Sequence, residues 1–253
     1  MRAAPSQPAY VLHHYDWSES SLIVDLFTRE AGRVAVAAKG AKRPTSNLRA
    51  VLMPFQRINV SFGRASRDES ASDIHTLRGA EWGGGVPKVG GEALLSGFYL
   101  NELLMKLLAR DDPHPALWDA YAATLPHLGG GEEPAALRAF ELILLAETGH
   151  LPDMSRTTAT QQPLDAARRY TLRPEAGLID ARSDDDAAIT GANFAALQAA
   201  VAARDLEMLR AACRPVVQTL RRQIRHWLAY HLGGAPLRTR EVMLELQPLL
   251  TSR

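Results

Sequence analysis

Up to about Trp82 the apolar and polar positions alternate at the period of two that a pleated strand requires. They do so in five short runs, "AYVLHH", "SLIVDLF", "RVAVAAK", "FQRINVSF" and "DIHTLRGAE". The alternation is cleanest in "INVSF", where Ile58, Val60 and Phe62 share one face and Asn59 and Ser61 the other. Five such strands in roughly eighty residues predict a small barrel, and partly open five-stranded barrels commonly take oligonucleotides. The intervening "GRASRDESASD" reads as a polar hairpin tip without a functional role.

After "GGGVPKVGG" the period lengthens. Leu95, Phe98, Tyr99, Leu103, Leu104 and Leu107 recur at three- and four-residue steps and predict a helix over 92–110. A second helix follows "DDPHP". A third runs through "EEPAALRAFELILLAETG", with two acids and a proline in its first turn and Gly149 at its end. Residues from Leu151 to about Thr190 are turn-rich and polar, with a strand pair in "RRYTLRPEAGLIDA" turning at 175–177. Helices resume over about 193–201, 205–213 and 215–232, with a short one from Arg240. The pattern therefore predicts an α+β chain. An N-terminal five-stranded barrel occupies 1–82, and a mostly α-helical domain occupies 83–253, with a polar excursion at about 151–190.

Composition narrows the class. The chain has 253 residues, 46% of them hydrophobic, which suffices for a real core. One cysteine, Cys213, excludes an intrachain disulfide or a cysteine-built zinc site and points to a reducing, cytoplasmic compartment. The first residues lack the apolar core of a signal peptide, and no run reaches the roughly 18 apolar residues of a membrane span. No membrane partner is expected.

The net charge of +1 hides a segregation. Residues 1–67 carry ten Lys/Arg against four acids, and from Ala31 to Arg67 eight bases stand without an acid. Residues 68–207 carry eleven bases and twenty-two acids, and 208–240 carry seven arginines and no acid. A solubilising surface interleaves both signs, so the acid-free block points to a polyanion. Lys39, Lys42, Arg43 and Arg49 cluster around one turn, and Arg33 has the strand parity of Lys39, which predicts that both emerge on one side of the sheet. In the last long helix, Arg214, Gln218, Arg221, Arg222 and Arg225 share a face opposite Val217, Leu220, Ile224, Trp227 and Leu228. That face is a second candidate surface, although snorkelling surface arginines give the same pattern.

Catalytic spacings are absent. His13 and His14 point to opposite faces of a strand, and His226 and His231 are five apart on a helix, a poor geometry for a shared metal. "DDD" at 184–186 reads as a solvated charge run, and the glycines of "AKGAKRP" do not make a phosphate loop. No catalytic residue, metal or cofactor is expected. Tyr15 and Trp17 stand at a strand-to-turn boundary, where aromatics of small barrels are more often core, and neither is placed in the site.

Five stretches, in this order, resemble the bacterial RecO family of recombination mediators: "YVLHHYDWSESSLIVDLFTREAGRVAVAAKGAKR", "LMPF", "GFYLNELLMKLL", "ALRAFELILLAETGHLPD" and "YHLGGAPLRTRE". The resemblance runs nearly end to end. It implies an OB-type barrel followed by a helical domain, binding of single- and double-stranded DNA, and annealing of complementary strands. It also implies loading of the RecA recombinase onto strands covered by single-strand DNA-binding protein, a DNA repair role beside the nucleoid, and RecR as a partner. Many members carry a four-cysteine zinc loop after the "LP" motif; this chain has no cysteine there, so no zinc is expected.

On this resemblance the DNA-binding candidates are Arg33, Lys39, Lys42, Arg43, Arg49, Arg221, Arg222 and Arg225. The acidic, apolar C-terminal tail of single-strand DNA-binding protein would need an apolar pocket with a cation beside it. Arg138 is the candidate, on an otherwise apolar helix, and an intrahelical surface pair with Glu141 explains it equally well. Two other readings stay open: a metal-dependent nucleic-acid-processing enzyme, and a helical protein-interaction scaffold.

Overall fold

The computed structural model of the chain describes residues 5–63, 74–85, 89–91 and 93–251, and side chains up to 246. The anticipated hairpin tip lies almost wholly outside the described residues. The chain forms two compact units, Met1–Pro126 and His127–Arg253.

In the first unit the five anticipated strands are present. They are β1 (Gln7–Asp16), β2 (Leu22–Thr28), β3 (Gly32–Ala38), β4 (Arg57–Gly63) and β5 (Ile74–Trp82), with a four-residue helix α1 (Leu48–Val51) before β4. They close into a barrel in the order β1-β2-β3-β5-β4, all pairs antiparallel except β3 with β5. This is the OB-like arrangement. The interior is filled by alternate residues of each strand, among them Val11, Val24, Leu26, Val34, Val36, Ile58 and Val60. Phe62 follows a bulge after Ser61 and is only partly buried.

The turn from β2 to β3 requires Gly32, whose φ of +71° is left-handed and whose Cβ, if present, would lie 1.9 Å from the Asp112 carbonyl oxygen.

The outer face of β1 and β2 is apolar as well, so it needs a cover. Helices α2 (Ala93–Leu107) and α3 (Pro115–Thr124) supply it. Tyr10 packs against Trp118 and Tyr121, and Phe27 against Tyr121, with ring centroids 5.3, 5.1 and 6.1 Å apart. Asn101 on α2 donates to the Leu12 carbonyl (2.8 Å) and accepts from the Tyr121 hydroxyl (2.5 Å). Burial, and secondarily Tyr10, raises the Tyr121 phenol pKa well above its ordinary value, so that hydroxyl remains a donor.

The second unit is helical around a small sheet. It holds α4 (Glu133–Glu147), strands β6 (Arg169–Arg173), β7 (Gly177–Asp180) and β8 (Ile189–Thr190), and helices α5 (Gly191–Ala203), α6 (Leu206–Cys213), α7 (Val217–His231) and α8 (Arg238–Thr251). The anticipated strand pair is β6–β7, and the two-residue β8 pairs with the other edge of β6. Thr190 and Asp205 cap α5 and α6 by accepting from the Asn193 and Met208 amides. The middle turns of α4 are buried all round, which is how an apolar helix with few polar residues must sit.

Candidate nucleic-acid interface

β3 ends at Ala38, and the chain turns through Gly40 (φ +72°) into the basic loop that leads to α1. This loop is fastened to the β1–β2 turn at 17–21. The Lys42 amide donates to the Ser20 carbonyl (3.0 Å), and the Gly40 amide to Ser21 Oγ (3.4 Å). Lys42 Nζ donates to the Ser18 carbonyl (3.2 Å) and pairs with Asp16 (3.1 Å). Lys42 is therefore a fastener as much as a surface charge. Lys39, Arg43 and Arg49 are exposed and have no acidic partner among the described residues. Two grooves open on this surface. One of about 460 Å³ is lined by Leu22, Ala41 and Leu52 together with Asp16, Lys42 and Arg49. The other, of about 380 Å³, is lined by Trp17, Lys39 and Arg43.

Arg33 does not join this set. Its guanidinium donates to Asp25 (3.2 Å) and to the carbonyls of Met105 and Leu108 at the end of α2, and the two side chains of the pair are 14% and 1% exposed. The strand parity correctly sends Arg33 outward, but the outer face of β3 is covered there. Antiparallel pairing sets Arg33 opposite Phe27 and Ala35 opposite Asp25, so the two charges are diagonal neighbours on one face. Asp25 lies in the preceding strand run, eight residues from Arg33, and is the sequence signal for this pairing. Tyr15 and Trp17, by contrast, are exposed rather than core. The Tyr15 ring meets His13 edge-on at 4.5 Å, and its phenol pKa is raised by burial first and then by the charge of Asp25.

On α7 the two faces fall as expected: Leu220, Ile224, Trp227 and Leu228 are buried, and Arg221, Arg222 and Arg225 exposed. Arg222 is not free, because it donates to Asp186 at 2.7 Å. That bond, with the arginine's charge, holds the Asp186 carboxyl below its usual range. Arg214 pairs likewise with Glu132 (2.7 Å). Arg221 and Arg225 have no acidic partner among the described residues. The run at 184–186 is not merely solvated either: Asp184 pairs with Arg182, Asp185 with Arg173 and Asp186 with Arg222.

Arg138 is neither a surface residue nor half of a surface pair. Its side chain is 7% exposed and its Nε and Nη2 donate to the two carboxylate oxygens of Glu141, itself 1% exposed. Its guanidinium is committed inside the second unit rather than presented to a peptide tail. Cys213 is buried nearby, and burial pushes its thiol up to about 12. Among the described residues no three His, Cys, Asp or Glu side chains converge as a metal site would require, and no helix is long and apolar enough to cross a membrane.

The family profile described as "Recombination protein O N terminal" matches residues 1–82, and "Recombination protein O C terminal" matches residues 90–241. The chain belongs to the RecO family. Among its relatives, the DNA repair protein RecO of Acidovorax ebreus is 51% identical over 261 residues, covering 98% of this chain and 99% of the relative. That of Delftia acidovorans is 49% identical over 251 residues (96% of each), and that of Polaromonas naphthalenivorans 50% over 249 residues (96% and 97%). RecO membership makes this a DNA repair protein with an OB-like barrel, and the loop and grooves described above lie on the part matched by the RecO N-terminal profile.

Proposed function

We propose that this chain is a non-enzymatic recombination mediator. It binds single- and double-stranded DNA through the barrel loop, anneals complementary strands, and helps RecA onto strands covered by single-strand DNA-binding protein, with that protein and RecR as partners. The observation that supports this most is the trio Lys39, Arg43 and Arg49, exposed, without an acidic partner among the described residues, and set around two grooves, the first of which Asp16 also lines, on a barrel of a DNA repair family. Cations so placed neutralise phosphates irrespective of sequence, and the counterions released on binding make affinity fall with salt. Arg221 and Arg225 offer a second basic face on α7, and annealing two strands asks for more than one contact surface.

The test is a salt titration of oligonucleotide binding and annealing in EDTA, for the parent and for Lys39→Glu/Arg43→Glu/Arg49→Glu. Losing three phosphate contacts should make the log–log salt slope for single strands shallower by about 2. Annealing should proceed without divalent metal and leave the strands covalently intact. An unchanged slope in the folded triple variant, or cleavage of the strands in magnesium, would overturn the reading.

A further inference from the structure

We propose that Trp17 is the base-stacking platform of a one-nucleotide site on the barrel, with Lys39 and Arg43 taking the flanking phosphates. This rests on the barrel loop being the DNA surface and says which strand form that surface discriminates. Four tryptophans stand in the chain. Trp118 and Trp227 are buried and donate their indole N–H groups to the carbonyls of Phe27 and His150. Trp17 is 55% exposed in a turn that also carries Ser18, Ser20 and Ser21, and it lines the groove that Lys39 and Arg43 share. Trp82 is as exposed, at 60%, but lines neither groove.

The groove beside Trp17 is of the size for one small unit, about 380 Å³ against roughly 300–1,000 Å³ for small-ligand pockets in general. Its lining joins one indole ring, Ser18 and Ser20, and the two cations Lys39 and Arg43. A base needs a flat apolar partner and its phosphate needs positive charge, so a nucleotide matches both halves of the lining. A duplex does not, because its bases show only their edges. The platform is also held ready: the turn bearing Trp17 is joined to the loop bearing Lys39 and Arg43 through the amides of Gly40 and Lys42 and the ammonium of Lys42. Within the turn, the Trp17 and Ser18 amides both donate to the Ser21 carbonyl. Binding then orders little that is not already ordered.

The experiment measures single- and double-stranded oligonucleotide affinity for Trp17→Ala, Trp17→Phe, Trp82→Ala and Lys39→Glu/Arg43→Glu. Trp17→Ala should weaken single-strand binding about 5- to 150-fold, the range for loss of one stacked base, and leave duplex binding within about 2-fold. Trp17→Phe should recover most of the loss, and Trp82→Ala should do nothing. In Trp82→Phe, oligo-dT should quench the remaining exposed indole, while an abasic oligonucleotide of equal length should not. Parental single-strand affinity in Trp17→Ala, with the cation variant still weakened, overturns the platform and leaves the DNA surface standing. Equal loss on single and double strands also overturns it, since the ring would then only shape the loop. No effect of the cation variant on either strand form overturns both readings.

Discussion

Consider the removal of Glu141. An exposed Arg–Glu pair three residues apart on a helix stabilises by only about 0.2–0.5 kcal/mol. The Arg138–Glu141 pair is different in kind, because its side chains are 7% and 1% exposed and its oxygens are held by two guanidinium donors. Removing one partner of a buried ion pair costs about 3–5 kcal/mol, because the remaining charge loses its nearest counterion out of water. Glu141→Gln should therefore cost about that much. With a urea m-value near 2 kcal/mol/M, a loss of 3 kcal/mol lowers the midpoint by about 1.5 M. Far-UV circular dichroism follows it, since α4 to α8 dominate the helical signal of the second unit. A double-mutant cycle with Arg138→Met separates the pair from the rest of its surroundings and should give a coupling above about 1.5 kcal/mol. A loss below 1 kcal/mol, or a coupling of a few tenths, would refute the reasoning and return Arg138 to the class of exposed cations.

Arg33→Ala should likewise cost about 3–5 kcal/mol by stranding Asp25, while the folded variant keeps parental DNA affinity; weaker binding at unchanged stability would place Arg33 back on the interface. Cys213, with its thiol pushed up to about 12, should resist a thiol reagent at pH 8 until urea opens the second unit, and rapid native labelling would contradict its burial. His231 stands 4.4 Å from His150, and burial, then the neighbouring imidazole, lowers its pKa from 6.5. The unfolded chain then holds more protons below 6.5, so the urea midpoint should fall as pH drops from 7 toward the lower native value, and His231→Phe should flatten that fall. An NMR titration of His231 at or above 6.5 would refute it.

The elements were legible because each satisfied a local rule. All five barrel strands showed their period of two, and α4 and α7 showed their ends and faces in the text. The site was legible only in part. Charge counting pointed to the loop and to the α7 face but treated every base alike, and what divides Lys39, Arg43 and Arg49 from Arg33, Lys42 and Arg222 is which acid or carbonyl comes within reach. Those partners are set by strand register and by loops that fold back. Asp186 is thirty-six residues from Arg222, and nothing local links them. The exposure of Trp17 was missed for the opposite reason: a statistical preference for aromatic cores outweighed the serines on its C-terminal side, which already marked a turn.

The helical cover on the barrel bears on how this fold can be cut. A polypeptide ending at Trp82 would retain all five strands, yet it would leave Tyr10, Leu12 and Phe27 uncovered and Trp118 and Tyr121 missing. Arg33 would lose the carbonyls of Met105 and Leu108 to which it donates. Such a fragment should collect in inclusion bodies, whereas one continued to Pro126 should be recovered in the supernatant. The smallest heritable module is then the barrel together with its two helices, and any shuffling that separates strand from cover would be purged at expression before its effect on repair was ever tested.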